Sequence, residues 1–363
     1  MADIISSMPD NVITNILDRL PLQDAVRTDA LSRNWRFKWT LLSQLVFDDH
    51  FFAHLSETED KDNHVRVISR ILLQLKGAIT KFVLSIDDHG YSVINDEDIS
   101  HWILFLSQKG IKDLTIGKKN VLLFLKLPTH LFSCLGLKHL KLFNCPIHRP
   151  TTFHGFPNLL SLDLSLVEFK RWKFEEFVMR CPLLENLKVN VCGSVKLDDI
   201  AKLGNLKTLS LVLVNAEKMT NTSSSSSSIF KLLGYLPKLE ELELDFVWCN
   251  SFPNLQMLEI LASDWDDWST PAIIPPEVDY NTMLQLRSVV FTYCRVTENE
   301  VRLLKYLLAC SPLLKKIVIR PYSSLENIDI SPYKSLGPAE KFMFAQKLLK
   351  LHRASSVVDI DLY

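Results

Sequence analysis

Glycine is scarce in this chain, 10 residues of 363, against an average usage of about 7%. No two glycines stand two apart as G-x-G, and no G-x-x-x-x-G-K-[S/T] occurs. Phosphate-binding turns place glycine where the backbone closes on its ligand, so Rossmann and P-loop chemistry is disfavoured. Net charge of one sign is missing too, with 41 Lys+Arg against 42 Asp+Glu. That balance removes the basic footprint on which non-specific nucleic-acid binding depends. No run of 18 apolar residues is present, so no membrane span is expected. The first residues, MADIISSMPDN, hold neither a basic start nor a long apolar stretch and do not read as a secretory leader. The cysteines (134, 145, 181, 192, 249, 294 and 310) are odd in number and include no C-x-x-C. They read as reduced, buried thiols of an intracellular protein.

The motifs of hydrolases and metal enzymes are absent as well. There is no G-x-S-x-G and no H-E-x-x-H. Ser331-x-x-Lys334 has neither S-D-N nor K-T-G to accompany it. His139, Cys145, His148 and His154 fall close together, but their spacing fits no zinc knuckle. Asp264, Asp266 and Asp267 lack the spacing and the glycine of a calcium loop. No cofactor, metal or catalytic residue is therefore expected.

Leucine is what the chain has in abundance, 61 residues, about one in six. The pattern L-x-x-L-x-L, with other aliphatics or Phe allowed, begins at Ile79, Ile111, Leu137, Leu159, Leu184, Leu206, Leu239, Leu255, Leu286 and Leu314. The mean spacing is roughly 26 residues, inside the 20–29 of leucine-rich repeats. Each unit alternates as a short strand with one buried face, and stacked neighbours then share a continuous core. Helical segments fall between several strands. One places Phe174, Phe177 and Val178 on a single face before Pro182, and others lead to Pro237 and Pro312. The last begins with Thr297 as N-cap, Glu300 three residues on, and Val296 and Val301 placed for a hydrophobic staple. The run Ser223–Ser228 reads as a solvated insertion. The fold class expected is α/β, an irregular leucine-rich-repeat solenoid of about ten repeat strands.

The first 45 residues differ. Pro9 opens a helix with Val12, Ile13, Ile16, Leu17 and Leu20 on one face, and Pro21 stops it. Asp24 is placed to cap a second short helix holding Ala25, Val26 and Leu31. A third helical segment carries Trp35 and Trp39 one turn apart, among Arg33, Arg36 and Lys38. Three such helices cannot build a core alone, so their apolar face needs the repeats or a partner to cover it.

These residues resemble an F-box. They include Met8-Pro9, Ile16-Leu17, Leu20-Pro21, Asp24-Ala25-Val26-Arg27-Thr28 and Leu31-Ser32-Arg33-x-Trp35-Arg36-x-x-Trp39. The second half is similar to the plant subgroup. Residues 127–142 resemble its leucine-rich repeats, and the stretch from Trp265 to the end resembles the FBD region that closes many of these proteins. Met8 stands where leucine is usual, the serine run is extra, and residues 51–77 match no repeat clearly. The domain organisation expected is an F-box over 1–48, a helical connection over 49–78, leucine-rich repeats over 79–264, and an FBD region over 265–363.

The resemblance implies a non-catalytic substrate receptor of a cullin–RING ubiquitin ligase, nuclear or cytoplasmic. The F-box would dock a Skp-type adaptor, and through it a cullin, while the repeats would hold the protein to be ubiquitylated. Pro9, Val12, Ile16, Leu17, Leu20, Pro21, Leu31 and Trp35 are carried over as adaptor contacts or the packing directly beneath them. Trp39 is expected to turn inward. A scaffold that holds a partner without causing its degradation is the alternative, and an enzyme with its own pocket is the third class. Strand alternation puts positions 3, 5 and 7 of each repeat on the concave face. Lys141 and the acidic group Glu241, Glu243, Asp245 and Glu259 fall there, either to receive a partner's basic segment or as a plain solvated face.

Overall fold

The computed structural model describes residues 8–56, 64–86, 94–120, 124–150, 153–190, 195–212, 229–245, 283–294, 298–321 and 338–362. The chain divides into two compact units, Met1–Trp172 with Arg180–Leu183, and Lys173–Met179 with Leu184–Tyr363.

The first unit opens with α1 (Asp10–Leu17) and α2 (Leu22–Arg27) and then enters β1 (Gln44–Phe47). After it come α3 (Asp49–Ser56), α4 (His64–Gln74), β2 (Lys81–Ile86), α5 (Asp96–Ser107), β3 (Asp113–Lys118), β4 (His139–His148) and β5 (Ser161–Lys170). The five strands pair in parallel in chain order. Parallel neighbours need a crossover: α3 and α4 lie between β1 and β2, α5 between β2 and β3, and a 3-10 turn over Thr129–Ser133 before β4. α5 opens with a reciprocal cap: Asn95 Oδ1 accepts from the Asp98 N–H at 2.9 Å, and the Asp98 carboxylate accepts from the Asn95 N–H at 3.4 Å.

The second unit holds α6 (Phe174–Val178), β6 (Asn186–Asn190), α7 (Leu197–Ile200), β7 (Thr208–Val212), α8 (Ile229–Tyr235) and β8 (Glu241–Asp245). It continues through β9 (Ser288–Cys294), α9 (Glu298–Cys310), β10 (Lys316–Pro321), α10 (Pro338–Leu349) and β11 (Asp359–Leu362). Its strands are also parallel and in chain order.

Register explains why the leucines are where they are. Leu114 pairs with Leu140 and Leu140 with Leu162. In the second unit Leu187, Leu209, Leu242, Val289, Ile317 and Ile360 follow one another across the strands. In the nine expected repeats that the structure describes, the first, fourth and sixth positions are all buried. Each such side chain adds about 1.5–3 kcal/mol of burial, and within each unit the same positions of neighbouring repeats lie side by side. The core is therefore a stack of aliphatic layers, and the fold class is the α/β leucine-rich-repeat solenoid. Phe174, Phe177 and Val178 are buried together as α6.

Three details differ from the sequence reading. The parallel strands begin at β1, inside residues 1–48, one strand upstream of Ile79; Leu42, Leu45 and Phe47 are its buried positions. The third N-terminal helix does not form. Residues 31–37 are turns, Phe37 adopts a left-handed φ of 64°, and a single 3-10 turn follows over Lys38–Leu41. The Asp29 carboxylate accepts the Phe37 N–H and holds that break, so Trp35 and Trp39 do not share a helix, although both are buried. Asp24 is not a cap: Pro21 precedes α2, and Asp24 pairs with Arg27 at 3.3 Å. The Leu255 unit, Thr297 and the Ser223–Ser228 run lie outside the described residues, and β8 pairs directly with β9.

Candidate docking face at the first helices

α1 is amphipathic, and its two faces have separate fates. Ile13 and Leu17 are buried, while Val12 and Ile16, at helical spacing i and i+4, point to solvent. Pro9 sits one residue before the helix, and its carbonyl accepts the Val12 and Ile13 N–H groups at 3.0 and 3.1 Å. A proline there sacrifices no intrahelical hydrogen bond. Leu20 is exposed in the turn that follows, Pro21 is exposed before α2, and Leu22 and Ala25 are buried beneath.

The structure thus sorts the eight expected adaptor residues into two layers. Pro9, Val12, Ile16, Leu20, Pro21 and Leu31 are exposed, Leu31 at 68%. Leu17 and Trp35 are 0% and 5% exposed and lie in the layer underneath. Leu17 shares the inward face with Ile13, one helical turn earlier, and α1 packs there against the 3-10 turn Lys38–Leu41. Sequence reasoning missed Phe37, which is 55% exposed with the Arg36 guanidinium 5.4 Å from its ring centre. A left-handed φ at a phenylalanine leaves no mark in sequence; glycine or asparagine would have signalled it.

The outward apolar stripe stands on a rigid base. Asp18, directly after α1, accepts from the Ser43 N–H at 2.9 Å, the Ser43 hydroxyl at 2.6 Å and the Gln44 N–H at 3.2 Å. Lys38 reaches Asp10 at 2.6 Å, tying the start of α1 to the 3-10 turn. Solvent-facing aliphatic groups held this firmly suit helix-in-groove recognition, in which the partner supplies the missing cover.

The expected target-binding residues are dispersed. Lys141 is on the open face of β4 and pairs with Asp163 of β5 at 3.0 Å. On β8 the carboxylates of Glu241 and Glu243 accept from the Thr208 and Ser210 hydroxyls at 3.3 and 2.8 Å, and Lys188 lies 3.9 Å from Glu243. Asp245 pairs in register with Val212 and Thr292. Glu259 lies outside the described residues. Among the described residues no group of His, Cys, Asp or Glu side chains is arranged to hold a metal ion, and no helix is long and apolar enough to cross a membrane.

Comparison with known proteins agrees with this geometry. The F-box domain model matches residues 5–46, which contain the exposed stripe and its base. The model of the LRR repeats of FBD-associated F-box protein At5g56370 matches residues 99–319. The F-box/FBD/LRR-repeat protein At1g13570 of Arabidopsis thaliana is 31% identical over 343 residues, covering 87% of this chain and 76% of that protein. The F-box protein At4g09920 of the same plant is 27% identical, over 75% of this chain and 93% of its own length. The FBD-associated F-box protein At4g10400 is 31% identical over 52% of this chain and 45% of its own length. An F-box followed by leucine-rich repeats is the domain composition of a substrate adaptor, and the chain belongs to the plant F-box/FBD/LRR-repeat protein family.

Proposed function

We propose that this protein is the substrate-recognition subunit of an SCF-type (Skp–cullin–F-box) E3 ubiquitin ligase. The observation that carries the reading is the exposed stripe of Val12, Ile16 and Leu20, with Leu31 beyond it, inside the F-box match and over a buried layer. In this reading the stripe docks a Skp-type adaptor and through it a cullin, in the nucleus or cytosol. The open face of the repeats, including Lys141, Glu241 and Glu243, holds the target protein. Ubiquitin is carried by other subunits. Cys134 and Cys181 support that division of labour, because burial pushes their thiols up to about 11 and about 12, away from the thiolate a nucleophile needs.

The test is co-purification of the full chain with a Skp-type adaptor, compared with an Ile16→Asp, Leu20→Asp double variant. Both positions are exposed, so the variant is expected to fold normally. Two unpaired carboxylates in a desolvated contact cost several kcal/mol, about a hundredfold or more in affinity. A complex lost in the variant and kept by the intact chain supports docking; an unaffected complex removes it. Proteasome-dependent loss of a bound target then separates a ligase receptor from a scaffold.

A further inference from the structure

Two rows of side chains run across the strands of the second unit, and they treat charge differently. At the second position of the repeats, acids and cations alternate from strand to strand. Glu185 pairs there with Lys207 at 2.9 Å and Glu240 with Arg287 at 3.5 Å. On the open face this matching stops at β8. Leu242 and Leu244 are buried, so Glu241 and Glu243 point the other way, at same-face positions about 7 Å apart. The flanking strands bring no charge to these levels: register sets Glu241 between Thr208 and Ser288, and Glu243 between Ser210 and Val290. The Thr208 and Ser210 hydroxyls that donate to them are neutral, so both carboxylates keep their charge. Lys188, two strands away, comes only within 3.9 Å of Glu243, with the two side chains 47% and 41% exposed. Solvent screens such a pair. On the other side Lys316 is matched by Asp361 at 2.8 Å, and Arg320 stands on β10 at the level of Thr292. Beside Glu243 the face turns apolar, with Val290 half-buried next in register and Val318 following on β10.

We infer that β8 and β9 form a seat for a target segment that carries an arginine or lysine close to an aliphatic side chain. The cation lies over Glu241 and Glu243, and the aliphatic group rests on Val290. This rests on the reading of the open face as the one that holds the target, and it adds the chemistry of the segment. Charge complementarity selects the occupant: the two glutamates repel each other, a cation placed over both relieves them, and an acidic segment is turned away. The valine surface beside them gives the cation's apolar neighbour a place to leave water. A second copy of this chain fits poorly, because an isologous contact centred on β8 would set these glutamates against their own copies.

The probe is a fluorescein-labelled peptide, Arg-Ser-Leu-Ser repeated three times, and its binding to the full chain is read by anisotropy at 50 and 300 mM NaCl. Two control peptides replace every arginine by citrulline, which keeps the shape without the charge, or every leucine by serine. The intact chain is expected to bind the parent peptide about tenfold more tightly than the citrulline peptide and about threefold more tightly than the serine one. That affinity is expected to fall about fivefold across the salt range, because the screening length shrinks from roughly 14 to 6 Å. A Glu241→Gln, Glu243→Gln variant keeps oxygens that accept from Thr208 and Ser210, so it is expected to fold normally and to lose the preference for arginine over citrulline. A Glu185→Gln, Glu240→Gln variant removes as much charge from the matched row and is expected to bind within about twofold of the intact chain. Val290→Thr is expected to erase the preference for leucine and keep that for arginine. Equal binding of the arginine and citrulline peptides by the intact chain overturns the inference. So does an equal loss in the two double variants, since net charge and not position would then act. A dimer of the intact chain, seen by light scattering, that Glu241→Gln, Glu243→Gln dissolves also overturns it, because the face would belong to a second copy. The adaptor stripe is on α1 and the turn after it, not on β8. A chain that binds the adaptor but does not tell the peptides apart therefore loses this inference alone. One that tells them apart but binds no adaptor keeps it and loses the ligase reading.

Discussion

His64, the first residue of α4, is 4% exposed, and neither of its ring nitrogens has a hydrogen-bond partner among the described residues. Its ring meets Phe52 edge-on, with centres 5.3 Å apart, an arrangement that suits a neutral imidazole. Burial holds its pKa below the usual 6.5. The folded chain therefore refuses a proton that the unfolded chain accepts. The stability it permits is complete above about pH 6.5 and falls as the pH drops below that, by at most about 1.4 kcal/mol per unit until the folded pKa is reached. The urea midpoint is expected to be lower at pH 5.5 than at pH 7.5, and His64→Phe is expected to remove most of that difference. Equal losses in both proteins would place the acid sensitivity at other groups. Ile16 and Leu17 show the limit of reading at this scale. They are adjacent aliphatics on one predicted face, yet Ile16 is 38% exposed and Leu17 fully buried, because Ile16 lies one turn from the exposed Val12 and Leu17 one turn from the buried Ile13.

Among elements, the joint between α1 and β1 fixes the docking stripe to the first repeat. Asp18 spans it with three accepted hydrogen bonds. Asp18→Ala leaves the Ser43 and Gln44 N–H groups to weaker solvent partners. It is expected to cost about 1–3 kcal/mol in denaturant unfolding and to speed hydrogen exchange at those two amides. Asp18→Asn keeps one acceptor oxygen and should cost less. An unchanged exchange rate in Asp18→Ala would show that the joint is held by packing alone. Most repeat strands were legible because alternation and leucine spacing coincide, as at Leu137, Leu140 and Leu142. β1 carried the same grammar in Leu42-x-x-Leu45-x-Phe47, but it lay within the helical segment and far from Ile79. β11 departed from it: Val357 stands exposed at the first position, while Ser355 is buried and donates to the Leu314 carbonyl at 2.6 Å.

At the scale of the molecule, one stretch of about forty residues does two jobs. Val12, Ile16 and Leu20 face solvent from it, while Ile13, Leu17, Trp35 and Trp39 are buried and Asp18 ties it to Ser43 and Gln44 at the start of β1. Repeat arrays need terminal units with a polar outer side, because an end layer is otherwise open to water. Here that end layer is Leu42, Leu45 and Phe47, each at most 1% exposed. Removing the helices to abolish adaptor binding would therefore also strip the array of its cover. A chain starting at Leu41 is expected to melt at lower temperature and to self-associate through the bared layer, as read by calorimetry and light scattering. The Ile16→Asp, Leu20→Asp chain, altered only on the outer face, is expected to stay monomeric with an unchanged melting temperature. A truncated chain that is monomeric and equally stable would mean that the repeats end at β1 without needing a cap, and that the F-box touches the array without supporting it.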